Sequence, residues 1–332
     1  MNFDAIDWDS LERLRANFLG GVAGAKDYWQ NESDLGDYDA TFAQRIGWKW
    51  DYVLAELKQR GWSPTAGKLL DWGCGSGVAG RAFFDHFGVG TVNQLGLWDR
   101  SALAMKFASE RAQKKFPGLN VTTHERDPGK GPSAPSTVLI SHVLNELTPE
   151  QTHALADFAA EATSVVWVEP GTYEASLTLI AIRERLRERM NIIAPCTHGD
   201  RCGILEPGNE RHWCHHFASP PPDIFTNADW SRFTNELEID LRDLPLSFLV
   251  MDKRPNTPPA EGATRVIGHP RLYKAHALML GCDRCGVRER RLMKRHHPEV
   301  FKSLKKGWND NLQTWRCEGD EIMEIKPLFQ SP

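Results

Sequence analysis

The stretch Asp71-Trp72-Gly73-Cys74-Gly75-Ser76-Gly77 decides the fold of this chain. It follows an apolar run, residues 68–72, that is typical of a buried strand, and it precedes a helical pattern that begins near Val78. Glycines in such a loop let the backbone turn tightly and approach a ligand closely, and the following helix N-terminus supplies partial positive charge. We therefore expect a strand–loop–helix unit that binds a nucleotide-like ligand, with Gly77 allowing the helix to pack near the strand.

Short apolar runs alternate with helical patterns over residues 67–170. Further strands are predicted at 95–99, 137–141 and 164–169, with helices at 101–116 and 149–162. Such alternation indicates βαβ units and a parallel sheet with right-handed crossovers. Asp99 ends the second strand, 22 positions after Gly77. In Rossmann-like sites a carboxylate at this place accepts hydrogen bonds from the ribose hydroxyls.

Length and composition are those of a globular protein. The chain has 332 residues, of which 41% are hydrophobic and 25% charged, and this excludes wholesale disorder, collagen and coiled coil. No apolar run approaches the length of a membrane span, and the acidic start of the chain argues against a leader peptide. Seven cysteines are too few for a disulfide scaffold of this size. We expect a monomer in the cytoplasm that uses its cysteines for metal or redox chemistry.

Charge is unevenly distributed along the sequence. The first forty residues hold nine acids and three bases, whereas residues 271–306 hold eleven bases and three acids. A dense basic segment favours contact with phosphates, although a solvated helical face would give the same pattern. The overall net charge of −4 argues against nucleic-acid binding over the whole surface.

Five regions are predicted. They are an N-terminal helical region (1–62), a Rossmann-like core (63–193), a cysteine-rich insert (194–243), a returning core strand (244–255) and a basic C-terminal module (256–332). The core is expected to end with an Arg-rich helix over 173–193. The insert is so irregular that it requires an organiser. The C-terminal module follows a Pro/Gly-rich connector, 256–262, and contains two strand candidates, 275–280 and 321–325.

Four cysteines are candidates for one metal site. Cys196, Cys202 and Cys214 are separated by five and then eleven residues, and Cys282 follows after 67 more. Four thiolates suit either zinc or an iron–sulfur cluster. Cys285 is the substitute for Cys282, and His215 or His216 could replace a cysteine around zinc. The alternative to a shared metal site is that these four cysteines are buried independently of one another.

The glycine loop with its leading acid resembles that of the class I S-adenosylmethionine-dependent methyltransferases. The resemblance places Asp71 near the methionine part of the cofactor and an acid at the end of the third strand, near 125–127, at the adenine amine. It implies a cofactor site formed by Asp71, Gly73, Cys74, Gly75, Gly77, Asp99, Asp127 and Ser141. His142 is a candidate base, and Asn145 could accept a hydrogen bond from a substrate amine or, with the higher prior, cap the next helix.

A more specific resemblance rests on Glu169-Pro170-Gly171-Thr172, on the Pro-Cys-x-His…Cys…Trp-Cys-His run, and on His276…Cys282…Gly286. In this order they are similar to the methyltransferase-like family that assists assembly of the mitochondrial small ribosomal subunit, which has bacterial members. The resemblance implies a 4Fe–4S cluster on Cys196, Cys202, Cys214 and Cys282, and contact with small-subunit rRNA. Thr197 and the double histidine after Cys214 depart from the family pattern.

The resemblance implies a factor that binds S-adenosylmethionine and docks on 16S rRNA or the immature small subunit. The phosphate contacts are expected from six basic residues, Arg284, Arg288, Arg290, Arg291, Lys294 and Arg295. Three alternatives remain open at this point: an active rRNA methyltransferase, a zinc- or cluster-containing methyltransferase for another RNA or a small molecule, and a non-catalytic iron–sulfur sensor.

Overall fold

The structure, a computed structural model, describes residues 3–20, 28–130, 134–256, 260–307 and 311–329. The chain divides into two compact units. Unit 1 comprises Met1–Pro170 and Ala218–Leu246, and unit 2 comprises Gly171–Phe217 and Ser247–Pro332. This division differs from the predicted boundaries, because the segment predicted as a single insert, 194–243, contributes residues to both units.

Unit 1 begins with three helices: α1 (Trp8–Leu19), α2 (Glu32–Ala40) and α3 (Phe42–Gln59). The helical character predicted for residues 1–62 is therefore present in their described part. The acidic stretch 30–39 also forms a helix, because the Asn31 side chain accepts a hydrogen bond from the Asp34 N–H and Leu35 is fully buried. Along α3, Trp50, Val53 and Leu57 form the expected buried face.

The centre of unit 1 alternates strands and helices: β1 (Lys68–Trp72), α4 (Val78–Phe87), β2 (Gln94–Trp98), α5 (Ala102–Lys115), β3 (Val121–Thr123), β4 (Thr137–Ser141), α6 (Pro149–Ala159) and β5 (Ser164–Pro170). The strands are ordered β3-β2-β1-β4-β5, and the four adjoining pairs from β3 to β5 run parallel. The direction of strand succession reverses next to β1, which is where doubly wound sheets bind ligands. The predicted Rossmann-like sheet is confirmed.

The third strand is shorter than expected. It ends at Thr123, whereas we predicted an end near 125–127. Asp127 lies in the following loop, where its carboxylate accepts the Gly129 N–H at 2.9 Å and so favours a turn over further strand.

Helix α8 (Ala228–Leu237) occupies part of the segment that we predicted to be irregular. Asn227 caps it, and its apolar side chains Trp230, Phe233 and Leu237 pack in one cluster with the first helix. The 3.6-residue periodicity was present in the sequence, but the nearby cysteines and prolines obscured it.

Unit 2 contains α7 (Tyr173–Leu186), β6 (Asn191–Ala194), β7 (His216–Ala218) and most of β8 (Leu244–Asp252). The prediction that the Arg-rich helix reaches residue 193 is wrong, because the chain leaves the helix after Leu186 and re-enters as a strand. Strand β6 pairs antiparallel with β8, with Asn191 opposite Asp252. Its backbone hydrogen bonds therefore go to a sequence-distant strand that local periodicity does not reveal.

The rest of unit 2 is a closed five-stranded barrel with one helix. Its elements are β9 (Ala263–Leu272), β10 (His276–Asp283), β11 (Gly286–Met293), α9 (Pro298–Lys305), β12 (Leu312–Glu318) and β13 (Glu321–Pro327). The order around the barrel is β10-β11-β13-β12-β9. Only β10 and β13 were anticipated, and much of the basic segment lies on a strand rather than a helical face. Residues 257–259 of the predicted connector lie outside the described residues.

Candidate functional site

A cavity of about 600 Å³ lies in unit 1 at the carboxyl ends of β1, β2 and β4. Most of the residues predicted to bind the cofactor line it, namely Gly73, Cys74, Gly75, Asp99, Asp127 and Ser141. The two candidates for the chemistry, His142 and Asn145, line it as well. The sheet therefore brings together residues that are up to 72 positions apart at the place where such sheets bind ligands.

The glycine loop is anchored to the end of β2. The N–H groups of Gly73 and Cys74 both donate to the Trp98 carbonyl, at 2.8 and 2.9 Å. Gly75 has a φ of +50°, and a Cβ placed on it would meet no atom within 4 Å. Its N–H donates to Asp99 Oδ2 at 2.9 Å. The loop thus presents bare backbone to open space, as a ligand that approaches the chain closely requires.

Gly77 has a different role from the one we expected. A Cβ there would lie 2.8 Å from the Ala108 Cβ, so this glycine allows α4 to approach the helix α5 rather than the strand. The helix α4 does pack closely at this glycine, but its partner is α5 and not the strand. Its φ of +79° also lies in the left-handed region that favours glycine.

Asp71 is fully buried and is absent from the described residues that line the cavity, so the expected contact with the methionine part of a cofactor is not seen. Its Oδ2 accepts the Gly80 N–H of α4 at 3.0 Å. Burial raises the pKa of this carboxyl to about 7, against the Gly80 hydrogen bond and Arg81, and Asp99 adds to the rise. The side chain holds the helix to the strand.

Asp99 and Asp127 form the acidic side of the cavity. Besides the Gly75 contact, Asp99 accepts the Ser101 N–H at 2.9 Å. Asp127 accepts the indole N–H of Trp72 at 3.1 Å. The ring of Trp72 lies 4.6 Å from that of Trp98, so two indoles border the site between the carboxylates. Carboxylates beside aromatic faces suit ribose hydroxyls and an adenine ring.

Another part of the cavity lining contains a chain of hydrogen bonds that begins on α3. The indole N–H of Trp50 donates to Ser141 Oγ at 3.0 Å, Ser141 Oγ lies 3.3 Å from His142 Nδ1, and His142 Nε2 lies 3.4 Å from Lys49 Nζ. His142 has a φ of +55°, unusual for a residue with a side chain. Every member can pass or receive a proton except the indole, which is a donor only.

Lys49 was missed in the sequence. It is buried and cavity-lining, and burial lowers its pKa to about 7; Arg45 lowers it further and Glu169 opposes the change. Burial also lowers the pKa of His142, with Lys49 and then Arg45 adding to the effect. The signal that could have found Lys49 is its position on the apolar face of α3, four residues before Val53.

A buried carboxyl group, that of Glu169, and a half-buried one, that of Glu146, adjoin this part of the lining. Burial raises the pKa of Glu169 to about 7, although its carboxylate accepts the Trp167 indole N–H at 2.7 Å and the Val143 N–H at 3.1 Å. Burial likewise raises the pKa of Glu146 to about 7, against Arg100, whose guanidinium lies 3.2 Å away. Several neighbouring groups whose pKa values are shifted toward 7 are typical of functional sites.

Asn145 does not cap a helix, which corrects the more favoured of its two predictions. Thr148 caps α6 with a capping box that includes Gln151. The Asn145 side-chain amide instead donates to the Phe18 carbonyl at 3.0 Å. Phe18 belongs to an aromatic wall with Tyr28, Trp29 and Tyr38, in which neighbouring rings lie 4.7 to 6.2 Å apart.

The four candidate cysteines come together in unit 2. Cys202 and Cys282 are members of one buried apolar cluster, and Cys214 packs against it. Burial raises the pKa of the Cys202 thiol to about 11, and Cys196 adds to the rise. Burial is also the main cause of the raised pKa values of Cys214 and Cys282, and both feel the other thiols of the set. Residues separated by 67 positions thus share one environment.

Basic side chains accompany these thiols. Arg183 of α7 is buried, and its Nε donates to Cys196 Sγ at 3.4 Å. Its Nη2 donates to the carbonyls of His198 and Asp200, at 3.2 and 2.8 Å. Arg265 of β9 is buried as well, and its charge opposes the rise in the pKa of Cys214. Two buried guanidinium groups can compensate negative charge on sulfur.

The substitute ligands lie in different places. Cys285 is exposed, at the turn after β10. The ring of His215 stacks on Trp213 at 4.4 Å, whereas His216 Nε2 lies 3.6 Å from Cys214 Sγ and His198 Nε2 lies 3.8 Å from Cys282 Sγ. Within the described ranges, no group of three or more His, Cys, Asp or Glu side chains has an arrangement that could hold one metal ion.

The six basic candidates separate toward the two ends of β11. Arg284 and Arg288 lie at its start, and Arg284 forms an ion pair with Asp200 at 3.2 Å. Arg290 is half-buried and reaches Asp320 at 3.4 Å. The remaining three, Arg291, Lys294 and Arg295, are exposed at its far end. The basic patch available for phosphate contacts is thus smaller than predicted, because Arg284 and Arg290 are already paired with acidic side chains.

The strand order, the glycine loop and the acidic residues after β2 and β3 define unit 1 as a class I methyltransferase-like fold. The family model described as "Mitochondrial small ribosomal subunit Rsm22" matches residues 50–313, and the chain belongs to this family. No curated protein sequence matches the chain significantly. No helix among the residues described here has the length and apolar character to cross a membrane.

Solved structures similar to this chain include two methyltransferases. Magnesium protoporphyrin IX methyltransferase (ChlM) from Synechocystis PCC 6803, with bound SAM, is 15% identical and has a TM-score of 0.41 over 75% of this chain and 99% of its own. The N-methyltransferase NodS from Bradyrhizobium japonicum WM9, in complex with S-adenosyl-L-homocysteine, is 12% identical and also has a TM-score of 0.41, over 72% of this chain and 99% of its own.

Proposed function

We propose that this protein is an S-adenosylmethionine-binding factor that acts on the small ribosomal subunit by contacting its rRNA. The observation that carries the proposal is the cavity that the glycine loop, Asp99 and Asp127 form in a chain of this family. Bare backbone at Gly75, two carboxylates and two indoles supply the groups that an adenosine moiety needs. A cytoplasmic location and a monomeric state remain predictions.

The donor site can be tested by calorimetry with S-adenosylhomocysteine. Gly75→Arg fills the open space in front of the loop, and we expect it to weaken binding roughly tenfold or more, which is about 1.4 kcal/mol. Gly88→Arg is the matched control, because Gly88 also has a positive φ and open surroundings but lies outside the cavity lining among the described residues. Equal losses in the two variants, or no binding by the unsubstituted protein, would contradict the donor site.

The cysteine set is proposed to hold a 4Fe–4S cluster with Cys196, Cys202, Cys214 and Cys282 as ligands. Four neighbouring thiols, two of them buried and two half-buried, are the donor set that such clusters take. Buried Arg183 supports an anionic group there through its hydrogen bond to Cys196. A cubane binds each thiolate through a different iron atom and therefore needs sulfur atoms further apart than one zinc ion does. The two centres therefore differ in geometry, and metal analysis decides between them.

Metal content distinguishes the proposed ligands. Protein purified without oxygen should carry about four iron atoms and absorb broadly near 400 nm. Cys282→Ser should lose most of the iron, whereas the exposed Cys285→Ser should retain it. If the protein contains zinc instead of iron, the cluster proposal is wrong and the zinc site is supported. If Cys282→Ser retains iron and Cys285→Ser loses it, Cys285 and not Cys282 is the fourth ligand.

Methyl transfer is a second candidate function, favoured by the contact of Lys49 with His142 in the cavity that the glycine loop also lines. When a methyl group moves from a sulfonium donor to an N–H or O–H acceptor, a bond to carbon forms and the carbon–sulfur bond breaks, leaving its electron pair on sulfur. The acceptor's proton can then pass to the amine of Lys49. Incubation with labelled donor and small-subunit rRNA tests this, and binding without transfer would leave only the first function.

A further inference from the structure

The barrel of unit 2 has the connectivity of an OB-fold. In sequence order its five strands close as first-second-third-fifth-fourth-first, and the third and fifth strands, β11 and β13, pair in parallel. A helix, α9, stands between the third and fourth strands, and its Phe301 is buried in the barrel core with Met279 and Trp315. OB-folds bind oligonucleotides on the face of strands 2 and 3, between the loop that joins strands 1 and 2 and the loop that joins strands 4 and 5.

The first strand shows how the barrel closes. Strand β9 pairs with β12 through residues 263–265 and with β10 through residues that extend to Leu272. Between these parts Gly268 has a φ of +65°, and the register on β10 shifts between Leu278 and Leu280. A glycine and a bulge at this place bend the strand from one neighbour to the other, which is how a small barrel turns its corner.

One half of the strand 2–3 face is covered within unit 2. Leu280, Cys282 and Val287 pack against Ile180 and Cys202, so the end of the face next to the β10–β11 turn belongs to the cysteine cluster. The other half lies where β10 begins and β11 ends, with His276 opposite Met293 and Leu278 opposite Arg291. The two ligand-binding loops of an OB-fold adjoin this second half.

Exposed aromatic and basic residues concentrate at this uncovered end. Tyr273, in the β9–β10 turn, is 47% exposed, and its ring stacks on that of His276 at 4.9 Å and 14°. Four exposed cations lie near this pair, either next to it in the chain or at the end of the neighbouring strand β11. They are Lys274, Arg291, Lys294 and Arg295. The backbone N–H of Lys294 bonds to the Ala275 carbonyl and that of Arg291 to the Asp320 carbonyl, so both loops touch the end of β11.

The acids near this end have their own partners. Asp320 pairs with Arg290 at 3.4 Å, and Glu321 pairs with His296 at 2.8 Å. Even with the charge of Glu321 counted as uncompensated, the four cations named above leave a net positive surface beside an aromatic plane. Lys294 Nζ also lies 5.8 Å from the Phe301 ring centroid and Arg295 Nε donates to His296 Nε2 at 3.0 Å, but these contacts remove no charge. Positive side chains that follow a backbone, together with rings on which bases stack, are the two components of single-strand binding sites.

We infer that the Tyr273–His276 stack and the cations Lys274, Arg291, Lys294 and Arg295 form a binding site for single-stranded RNA on the barrel. The inference rests on the proposed function for the choice of RNA, and it names the element that makes the contact and the form of RNA it takes. A base stacks on the Tyr273 ring, and the flanking phosphates lie against the cations. Duplex RNA does not expose base faces and is excluded from the stack.

The test uses the full-length protein and fluorescence anisotropy with one labelled RNA of twelve nucleotides, alone and annealed to its complement. Tyr273→Ala should weaken single-strand binding roughly fivefold to a hundredfold, and Tyr273→Trp should restore it. Phe225→Ala is the matched control, because Phe225 is an exposed aromatic residue of unit 1. Arg291→Ala should reduce the slope of log affinity against log salt by about 0.7.

The outcomes separate this inference from the proposed function. Binding of small-subunit rRNA that Tyr273→Ala and Arg291→Ala leave unchanged would overturn the barrel site and keep the rRNA contact. Tighter binding of the annealed duplex than of the single strand would also overturn the site. Failure of the unsubstituted protein to bind either RNA or small-subunit rRNA would overturn both. Selective loss in Tyr273→Ala, with recovery in Tyr273→Trp and none lost in Phe225→Ala, supports the site.

Discussion

Lys49 owes its properties to the residues that the fold places around it. On α3 it continues an apolar face, but in space its amine faces His142 after β4 and lies within the influence of Glu169 on β5 and Arg45 on its own helix. An amine that is neutral near pH 7 can accept a proton and tolerates a nearby sulfonium, whereas a charged amine repels it. We therefore expect the two protonation states to discriminate between a sulfonium methyl donor and its neutral thioether product.

We predict a pH-dependent preference of the cavity between S-adenosylmethionine, a cation at sulfur, and S-adenosylhomocysteine, which is neutral there. Below about pH 7, Lys49 becomes charged, so the ratio of the two dissociation constants should shift against the sulfonium roughly threefold or more between pH 8 and pH 6. Lys49→Met should lose this part of the shift, and Lys58→Met, on the same helix but exposed, should keep it. Titration calorimetry measures both constants.

The ligands' own titration is common to all three proteins, so the difference between variants isolates Lys49. An identical pH dependence in the unsubstituted protein and in Lys49→Met would refute the assignment while leaving donor binding intact. Lys49→Arg provides a second test, because its permanent charge should weaken the sulfonium ligand at every pH without affecting the neutral one.

Asp71 gives a stability prediction with a defined sign. Its pKa in the folded protein is raised to about 7, chiefly by burial, so the unfolded chain releases this proton at lower pH than the folded chain does. Asp71 therefore lowers stability as pH rises from roughly 4 to 7, by up to about 1.4 kcal/mol per pH unit. In urea unfolding, Asp71→Asn should show a shallower decline than the unsubstituted protein over this range, and parallel curves would count against it.

At the scale of elements, the packing of α4 against α5 depends on the absence of a side chain at Gly77. Gly77→Ala adds a Cβ that would lie 2.8 Å from the Ala108 Cβ, in addition to the strain of a positive φ. Gly61→Ala carries a similar φ, +71°, with nothing within 4 Å, at the left-handed position that closes the C-terminus of α3. The comparison therefore separates steric overlap from backbone strain.

We expect Gly61→Ala to cost roughly 1–2 kcal/mol of unfolding free energy, from the left-handed backbone alone. Gly77→Ala should cost about 1–3 kcal/mol more, because the helices must separate or the alanine must distort. Urea unfolding curves give both values. If the two variants prove equally stable, α5 adjusts freely and close helix packing is not the reason for glycine at position 77.

Element order also changes how the basic segment is understood. As a helix it would present one solvated face, but as β11 it belongs to a barrel whose two ends have different surroundings. Arg284 at one end pairs with Asp200 in unit 2, while Arg291 and Lys294 remain exposed at the other. Charge density along the sequence therefore overestimates the cations available to a phosphate backbone.

For the whole molecule, the proposed cluster predicts that metal removal lowers stability. Binding energy at sites that form only on folding is folding energy, and the segment from Cys196 to Cys214 contains little regular structure of its own. Chelation of iron under mild oxidation should lower the melting temperature of a transition by roughly 5 °C or more. Cys282→Ser, prepared the same way, should already melt at the lower temperature and respond little to chelation.

Differential scanning calorimetry of the metal-loaded and chelated protein makes this measurement, and Cys285→Ser serves as the control that keeps the full response. If the chelated protein melts at the same temperature as the metal-loaded protein, the metal has no structural role. The methyl-donor cavity lies in unit 1, so binding of S-adenosylhomocysteine can be followed in the same samples as a check that unit 1 remains folded.

Local sequence patterns were sufficient for the parallel sheet and the glycine loop, whereas the cysteine ligand set stays a prediction. Strand and helix periodicities, tight turns and the chemistry of thiols are properties of short stretches, and residues 68–78 carry several of them at once. The position of Asp99 on the cavity follows from the rule that parallel strands end at one edge, whereas Asp127 reaches the cavity from the loop after β3.

Tertiary structure alone decided which distant residues share a site. It placed Lys49 of the third helix against His142, gave Asp71 to a helix rather than to the cavity, and divided the cysteine-rich segment between two units. It also closed β9 to β13 into a barrel of which the sequence indicated two strands. Pairing between sequence-distant strands and burial of a charge depend on the closure of the whole core, and no local periodicity encodes that closure.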